Sequence, residues 1–305
     1  MLGVLSLTAT FTSGQMNTGE IGGAVKDPTA ALIAGATVVA EQSGTGLKFT
    51  AVADVAGEYL LAQLPVGTYK LTADAQGFKK AELPGVAVHA GDRLRHEFNL
   101  ELGDRSQVIV VSDTAVGPQL ESAEIKDLIQ HEEVVTFPLR ERKFLDLALL
   151  TEGVVRPPGG TRGEALQQAG GLVSVLGQRS GHNLYLLDGV TATDQYFNNL
   201  VISPSVDSVQ EFNIEKTSYT PEFGGKSGAV INVITKSGTN AFHGTLFEFV
   251  RNNIFDSRNY FDSPSAPIPP FRQNQFGASV VGPIVRNKTF FSVSYEGQSV
   301  RKSLT

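Results

Sequence analysis

The sequence predicts a mainly β fold with an α+β part. Short β-prone runs alternate with turn signals early in the chain, the middle mixes helical and extended patterns, and the end alternates apolar with polar side chains. The 305 residues include 32 Gly, 18 Phe and 7 Tyr but no Trp, which favours strands and turns. A chain of this length is expected to hold about two domains.

Composition excludes several classes of function. The formal net charge of −6 and the pI near 5.4 argue against nucleic-acid binding, because nothing would neutralise a run of phosphates. The absence of cysteine removes disulfide frameworks, cysteine zinc sites and thiol nucleophiles. No run approaches the ~18 apolar residues of a transmembrane helix, so any membrane contact must be made by strands.

Residues 1–18 leave two interpretations open. The stretch is mildly apolar and uncharged at its start, like the end of a signal peptide, but it lacks a basic n-region and a clear cleavage site. It is expected to be either a cropped signal peptide or a disordered start.

Residues 19–102 are predicted to form a small β-sandwich, because about seven short strands alternate with turns at near-regular spacing. Six of them are expected at Thr37–Ala40, Phe49–Val52, Tyr59–Leu61, Tyr69–Ala73, Val86–Val88 and His96–Leu100. The order GGAVKDP…IAGATVVA…GEYLLAQLPVGTYKLTADAQGF resembles the carboxypeptidase regulatory-like module, a transthyretin-like sandwich with a carbohydrate-binding-like fold. The residues that carry the resemblance are Gly22, Asp27, Ala36, Val38, Gly57, Tyr59, Leu64, Pro65, Gly67, Tyr69, Gly77 and Phe78.

That resemblance concerns an accessory domain and not a peptidase. None of the five histidines lies in an H-E-x-x-H motif, so the zinc-peptidase signal is missing. The residues that carry the resemblance are explained as turn residues and core side chains. Pro65 and Gly67 are expected in a turn, and Tyr59 and Tyr69 are expected in the core.

Residues 103–117 are predicted to be a linker that contains an apolar run, Val108–Val111. Two interpretations exist for this run. It is either an ordinary internal strand or an exposed segment that adds itself to the sheet edge of another protein.

Residues 118–240 are predicted to form a mixed α+β domain. Ile125, Leu128 and Ile129 have helical spacing, and a second apolar helical run covers Phe144–Leu150. Asn183–Val190 is predicted to be a strand that ends in an Asp-Gly turn. A glycine turn at Gly224–Gly225 is expected to lead into the apolar strand Ala229–Thr235.

Residues 241–305 alternate apolar and polar side chains. In Thr289–Glu296, Phe291, Val293 and Tyr295 share one face, and Ser292, Ser294 and Glu296 share the other. The pattern fits a membrane barrel strand as well as a half-exposed soluble hairpin. Weaker versions occur at Gly244–Arg251 and Gln275–Val281, with a turn expected at Pro283–Lys288.

No catalytic constellation is found. Gly225-Lys226-Ser227 is not a phosphate-binding loop, because Thr220 stands where the first glycine is required. A G-x-S-x-G elbow is absent, and Asp188, Asp194 and Asp207 do not match the spacing of a known metal loop. The sequence therefore predicts no enzyme, no cofactor site and no metal site.

Three segments in order resemble the plug domain of TonB-dependent outer-membrane receptors: FPLRERKFLDLALLTEGV, GQRSGHNLYLLDGV and SVDSVQEFNIEKTSYTPEFGGKSGAVINVITKSGTNAFHG. With the sandwich ahead and FRQNQFGASVVGPIVRNKTFFSVSYEG behind, the chain looks like the Oar-like branch. The plug motif residues by this resemblance are Leu187, Asp188, Gly189, Gly224, Gly225, Gly228, Asn232 and Thr235. The resemblance also makes Val108, Ile109, Val110, Val111 and Ser112 the candidate for the TonB box, the energy-coupling strand.

The resemblance implies TonB-dependent active transport across the Gram-negative outer membrane, with the sandwich in the periplasm. TonB would pair with the box, the barrel would contact lipid, and the imported substrate is not readable. Receptors of this family close a barrel of about 22 strands, so the chain is expected to be an N-terminal fragment with the first strands of an incomplete barrel. The alternatives are a carbohydrate- or protein-binding adhesion module without transport, and an enzyme with a regulatory sandwich.

Overall fold

The computed structural model describes residues 17–103, 108–110, 125–137, 139, 142–157, 173–194, 198, 200–217, 219, 223, 225–258 and 268–302. The described residues divide into two compact units. The first contains most of residues 17–103 together with 108–110, and the second contains most described residues from 125 onward. The predicted mainly β class is confirmed.

The first unit is a β-sandwich. Its strands are β1 (Thr18–Lys26), β2 (Thr37–Gln42), β3 (Lys48–Val52), β4 (Glu58–Pro65), β5 (Gly67–Asp74), β6 (Lys80–Val88), β7 (Arg93–Arg95), β8 (Phe98–Asn99) and β9 (Val108–Val110). One sheet has the order β4-β1-β7, with β8 also paired to β1, and the other has the order β3-β2-β5-β6-β9. The sequence had indicated most of these strands but not β1 or β7.

The core of the sandwich forms where the two sheets pack face to face. Alternate residues of each strand point inward, as expected of a half-buried strand. Ile21 and Leu61 from one sheet and Leu71 from the other are buried in one cluster. Tyr59 and Tyr69 also lie in this core, and their hydroxyls donate hydrogen bonds to the carbonyls of His96 at 2.8 Å and Pro65 at 2.6 Å. The buried phenols are therefore satisfied.

Strand β9 comes from the predicted linker. Val108, Ile109 and Val110 pair in parallel with Lys80, Ala81 and Glu82 of β6. Val108–Val110 is therefore a strand of the sandwich itself, and among the described strands it stands last in the sheet order, at the edge.

The second unit contains the remaining elements. Its strands are β10 (Ile125–Gln130), β11 (Val154–Val155), β12 (Ser174–Val175), β13 (Leu184–Leu187), β14 (Val190–Thr191), β15 (Val209–Thr217), β16 (Val230–Thr235), β17 (His243–Asn252), β18 (Phe271–Val285) and β19 (Thr289–Lys302). Helix α1 is His131–Thr136, and 3₁₀ helices cover Phe144–Leu150, Ser180–His182 and Val206–Ser208. The central sheet has the order β10-β15-β16-β13-β14, and β11 pairs with β12.

The helix predicted from Ile125, Leu128 and Ile129 is wrong. Residues 125–130 form β10, which pairs antiparallel with β15 across six register positions, and helix α1 begins only at His131. Ile129 lies opposite Phe212 and is buried. Packing against a long neighbouring strand outweighs the weak local preference of a six-residue segment.

The core of the second unit lies against one face of the central sheet. Phe144, Leu147 and Ala148 of the 3₁₀ helix pack on Phe212 and Ile214 of β15. The Phe144 and Phe212 rings meet edge to face with centroids 5.8 Å apart. The predicted helical run at 144–150 thus exists as a 3₁₀ helix.

Strands β17, β18 and β19 form a separate antiparallel sheet in that order, named here the wall sheet. The register pairs His243 with Val281 and Phe271 with Lys302. The β18–β19 turn falls at residues 286–288, inside the predicted range. Among the described residues, no helix is long and apolar enough to cross a membrane.

Candidate functional site

Three of the eight predicted plug motif residues lie on two adjacent strands. β13 and β16 run parallel, with Leu184 opposite Val230 and Leu187 opposite Val233. Leu187 ends β13 and packs against the core, while Asn232 and Thr235 belong to β16. Strand formation in this region therefore brings Leu187, Asn232 and Thr235 into one sheet.

Two glycine turns flank these strands. Asp188 and Gly189 have φ angles of 50° and 76°, the pair of positive values that a type I′ hairpin turn requires. Gly225 has a φ of 88°, which favours glycine. Gly224 lies outside the described residues.

Gly228 lies at a very close approach between the start of β16 and the residues before β13. A Cβ built on Gly228 would lie 2.5 Å from Oδ1 of Asn183 and 2.8 Å from the carbonyl of His182. Asn183 is fully buried, and its Oδ1 accepts the Ala229 N–H at 3.0 Å while its Nδ2 donates to the Val173 carbonyl at 2.9 Å. Only glycine fits here, and the buried amide joins three segments.

The face of the central sheet away from the 3₁₀ helix carries buried polar residues. Asn213 and Asn232 stand opposite each other in the β15–β16 register, and both are almost fully buried. Glu211 and Glu215 lie on the same face of β15 and are also buried. The sheet therefore has one apolar face and one mixed polar face inside the unit.

Arg142 connects the central sheet to the wall sheet. Its guanidinium forms a part-buried ion pair with Asp207 of the 3₁₀ helix just before β15. The same guanidinium lies 4.5 Å from the ring centroid of Phe247 and 4.4 Å from that of Phe249, both on β17. An arginine over an aromatic face is attracted by the ring quadrupole, so this cluster, the Arg142 clamp, holds β17 against the loop.

Two further titratable groups, Lys236 and His131, lie near Asp207. Burial lowers the pKa of Lys236, and the Asp207 and Glu132 carboxylates oppose this effect. Burial also lowers the pKa of His131, and the Lys236 ammonium lowers it further. The His131 Nδ1 lies 2.7 Å from the Val209 carbonyl. Asp207 is thus the acidic centre of a charged cluster.

The connection from β16 to β17 is packed against the wall sheet. A Cβ on Gly238 would lie 2.7 Å from the Gly282 carbonyl oxygen and 2.7 Å from the Phe290 Cβ. Glycine at this position lets the chain pass against the β18–β19 hairpin. Asn240 on the same connection donates from Nδ2 to the Asn287 side chain at 2.7 Å.

The wall sheet has two different faces. Gln273, Gln275 and Ser279 of β18 are buried on one face, where Gln275 donates to Glu296 of β19. The register puts Val293 and Tyr295 on the opposite face, where Tyr295 is 64% exposed. On β18 the polar face is therefore buried inside the unit, while the apolar face of the sheet is exposed.

A cavity of about 630 Å³ lies between α1 and the wall sheet. Its lining includes Val134, Phe137 and Arg142 on one side and Phe249 and Gln275 on the other. Part of the interface between α1 and the wall sheet is therefore unfilled beside the Arg142 clamp.

The candidate TonB box is described only in part. Val108, Ile109 and Val110 form β9 in the first unit, with the Val110 side chain 60% exposed, while Val111 and Ser112 lie outside the described residues. The described residues contain no group of three or more His, Asp or Glu side chains placed to hold a metal ion. Asp207 belongs to the Arg142 clamp.

Sequence reasoning missed Arg142, Asn183 and Gly238 as important positions. Their contacts join segments far apart in the chain, and no local pattern signals them. A weak signal existed at Gly238, which lies between the predicted strand Ala229–Thr235 and the predicted barrel segment 241–305.

Parts of the chain are similar to known protein families and to a known transporter. Residues 20–101 match the family model of the carboxypeptidase regulatory-like domain, and residues 234–305 match that of the outer membrane beta barrel domain. Over 264 residues the chain is 29% identical to the TonB-dependent transporter Oar of Myxococcus xanthus, covering 81% of this chain and 23% of Oar. The predicted resemblance to the Oar-like, TonB-dependent group is confirmed, and the chain spans about a quarter of this relative's length.

Solved structures also resemble parts of the chain. The siderophore receptor PirA of Acinetobacter baumannii is 19% identical, with a TM-score of 0.41, over 58% of this chain and 24% of PirA. The outer membrane transporter YddB of Escherichia coli is 16% identical, with a TM-score of 0.45, over 56% of this chain and 26% of YddB. Likeness at this level carries no functional argument. The chain is thus similar to the outer membrane beta barrel domain over residues 234–305 and to the transporter Oar over most of its length.

Proposed function

We propose that this chain is the coupling part of a TonB-dependent active transporter. In this proposal the sandwich lies in the periplasm of a Gram-negative cell, the central sheet is the plug, and the wall sheet is part of the barrel. The observation that carries the proposal is the direct passage of β16, through Gly238, into a sheet whose apolar face is exposed and whose polar face is buried on the central strand β18. Alignment with the transporter Oar over most of the chain supports it.

The wall sheet fits the requirements of a membrane barrel. Barrel strands present apolar side chains to lipid and polar side chains to the interior. Leu246, Val293 and Tyr295 are exposed on one face, and Gln273 and Gln275 are buried on the other. In the complete transporter the exposed face would contact outer-membrane lipid.

The plug is held by contacts that can be broken without covalent chemistry. The Arg142 clamp combines one ion pair with two cation–π contacts, and the cavity beside it leaves part of the interface unfilled. A pull on the plug would have to release these contacts before the central sheet could move. The substrate would pass through the space that this movement opens.

The coupling segment of this proposal is Val108–Ser112, which precedes the edge strand β10 in the chain. A strand of TonB would pair with its backbone, which gives affinity with little side-chain specificity. β10 pairs with β15 alone among the described strands, so force applied ahead of it would peel an edge strand from the plug sheet. The energy would reach the transporter mechanically.

Binding of the periplasmic domain of TonB to the purified chain tests the proposal. The variants V110P and V110T form a matched pair, because proline removes a backbone N–H that strand addition needs while threonine keeps it and suits a strand. We expect V110T to bind like the unmodified chain and V110P to bind at least about tenfold more weakly. Equal binding by V110P would reject the box, and no binding by the unmodified chain would reject coupling and favour an adhesion module.

A further inference from the structure

The edge of β6 is covered by the chain that leaves the sandwich. The Lys79 N–H donates to the Glu101 carbonyl at 2.8 Å, and the Gly103 N–H donates to the Gly77 carbonyl at 3.2 Å. Lys79 and Glu101 also form an ion pair at 3.1 Å. Residues 101–103 are therefore fixed beside residues 77–79.

Only four residues, 104–107, separate this anchor from β9. β9 then continues along the same edge, with Val108 opposite Lys80 and Val110 opposite Glu82. A short tether gives β9 a high effective concentration at the edge of β6. Pairing of β9 with β6 is therefore favoured over pairing with a partner in free solution.

The described part of β9 makes few backbone contacts with β6. Among the described residues, three register pairs join the two strands, whereas a typical strand has about five or six residues. On the β6 side, Pro84 lies two residues after Glu82 and has no N–H to extend the ladder, and the β5–β6 register shifts in the same region. Within the described residues, a strong tether is therefore combined with a small number of backbone contacts, which suits a strand that is held and then released.

We propose that the β6 edge, Lys80–Glu82, and a strand of TonB compete for the segment Val108–Val110, so that the sandwich restrains the coupling segment until a partner displaces it. This inference rests on the proposed function, since it names the internal competitor of the same partner. The sandwich then sets the apparent affinity for TonB without touching TonB itself.

A reversible cross-link tests this competition. Glu82 and Val110 are register partners at the sheet edge, at a spacing between neighbouring strands that a disulfide can bridge. The chain has no native cysteine, so E82C/V110C introduces the only thiol pair. A matched control, T37C/V52C, links the register partners Thr37 and Val52 of β2 and β3 and leaves β9 untouched.

We expect oxidised E82C/V110C to bind the periplasmic domain of TonB at least about tenfold more weakly than its reduced form. Oxidation of T37C/V52C should leave binding unchanged. Equal binding by oxidised and reduced E82C/V110C would overturn the competition while the proposed function stands. Failure of E82C/V110C to cross-link under the oxidant that closes T37C/V52C would contradict the pairing, and no binding by reduced or unmodified chain would overturn both proposals.

Discussion

Gly228 and Asn183 illustrate how single residues fix the central sheet. Asn183 is buried and makes hydrogen bonds to the backbone of Val173 and Ala229. Loss of either bond would leave a buried polar group without its partner and would lower the free energy of unfolding by about 1–3 kcal/mol. Gly228 lets the backbone come close enough for these bonds. The side chain and the missing side chain are therefore parts of one packing arrangement.

Substitution G228A should destabilise the second unit. The added methyl group would lie 2.5 Å from Asn183 Oδ1 and 2.8 Å from backbone atoms of His182, and overpacking of this kind typically costs about 1–3 kcal/mol. The control G181A meets nothing closer than 3.8 Å. Urea unfolding should show a lower midpoint for G228A and little change for G181A, and similar midpoints for both would contradict the close approach.

The Arg142 clamp makes a second prediction at the scale of residues. Removing one partner of a buried ion pair leaves the other charge uncompensated, at a cost of about 3–5 kcal/mol. R142M and D207N should each destabilise the chain strongly, and the double variant should cost less than the sum of both. The exposed Arg156–Asp146 pair at 3.4 Å is the control, since surface pairs contribute about 0–1 kcal/mol. Additive effects of R142M and D207N in unfolding measurements would contradict the pair.

His131 predicts a pH dependence of stability. Burial, followed by Lys236, lowers its folded-state pKa below the ordinary value of 6.5, so below about pH 7 the unfolded state takes up the proton more readily. The free energy of unfolding should therefore decrease as the pH falls from about 7.5 through 6.5. H131N should remove this part of the slope, and an unchanged slope in H131N would show that another group causes it.

At the scale of elements, predictability follows from whether the signal is local. The wall strands and most sandwich strands could be predicted, because alternation and turn residues lie within each strand. β10 could not, since its conformation comes from pairing with β15. The pairing of β9 with β6 could not be predicted either, because the backbone of Val108–Val110 could pair with many sheet edges and the choice of β6 depends on the folded chain. The Arg142 clamp depends on contacts among three segments.

The wall sheet carries a prediction of its own. Val293 and Tyr295 lie on the exposed apolar face, and a lysine at the lipid-facing midplane of a barrel costs about 2–4 kcal/mol. The variant V293K/Y295K should therefore lose binding to phosphatidylcholine vesicles in a flotation assay. The matched variant S292K/S294K changes the other face and should bind vesicles more strongly than V293K/Y295K. Equal flotation of the two variants would contradict the assignment of the faces.

At the scale of the whole molecule, the order of the sandwich, the candidate coupling segment and the central sheet along the chain would define the path of the proposed pulling force. The candidate coupling segment follows the sandwich and precedes β10. A pull at Val108–Ser112 would therefore reach the central sheet without passing through the sandwich core. In the proposed function, the sandwich would hold the segment, while the central sheet and the Arg142 clamp would respond to the pull.

Disulfide cross-linking between the chain and TonB tests whether the segment around Val110 pairs with a strand of TonB. In the otherwise cysteine-free chain, V110C should form a disulfide with single cysteines placed along the pairing strand of the periplasmic domain of TonB. V52C, an exposed position on β3, is the control and should not. Selective cross-linking of V110C is the predicted result, and equal cross-linking of V52C, or none at V110C, would contradict the account.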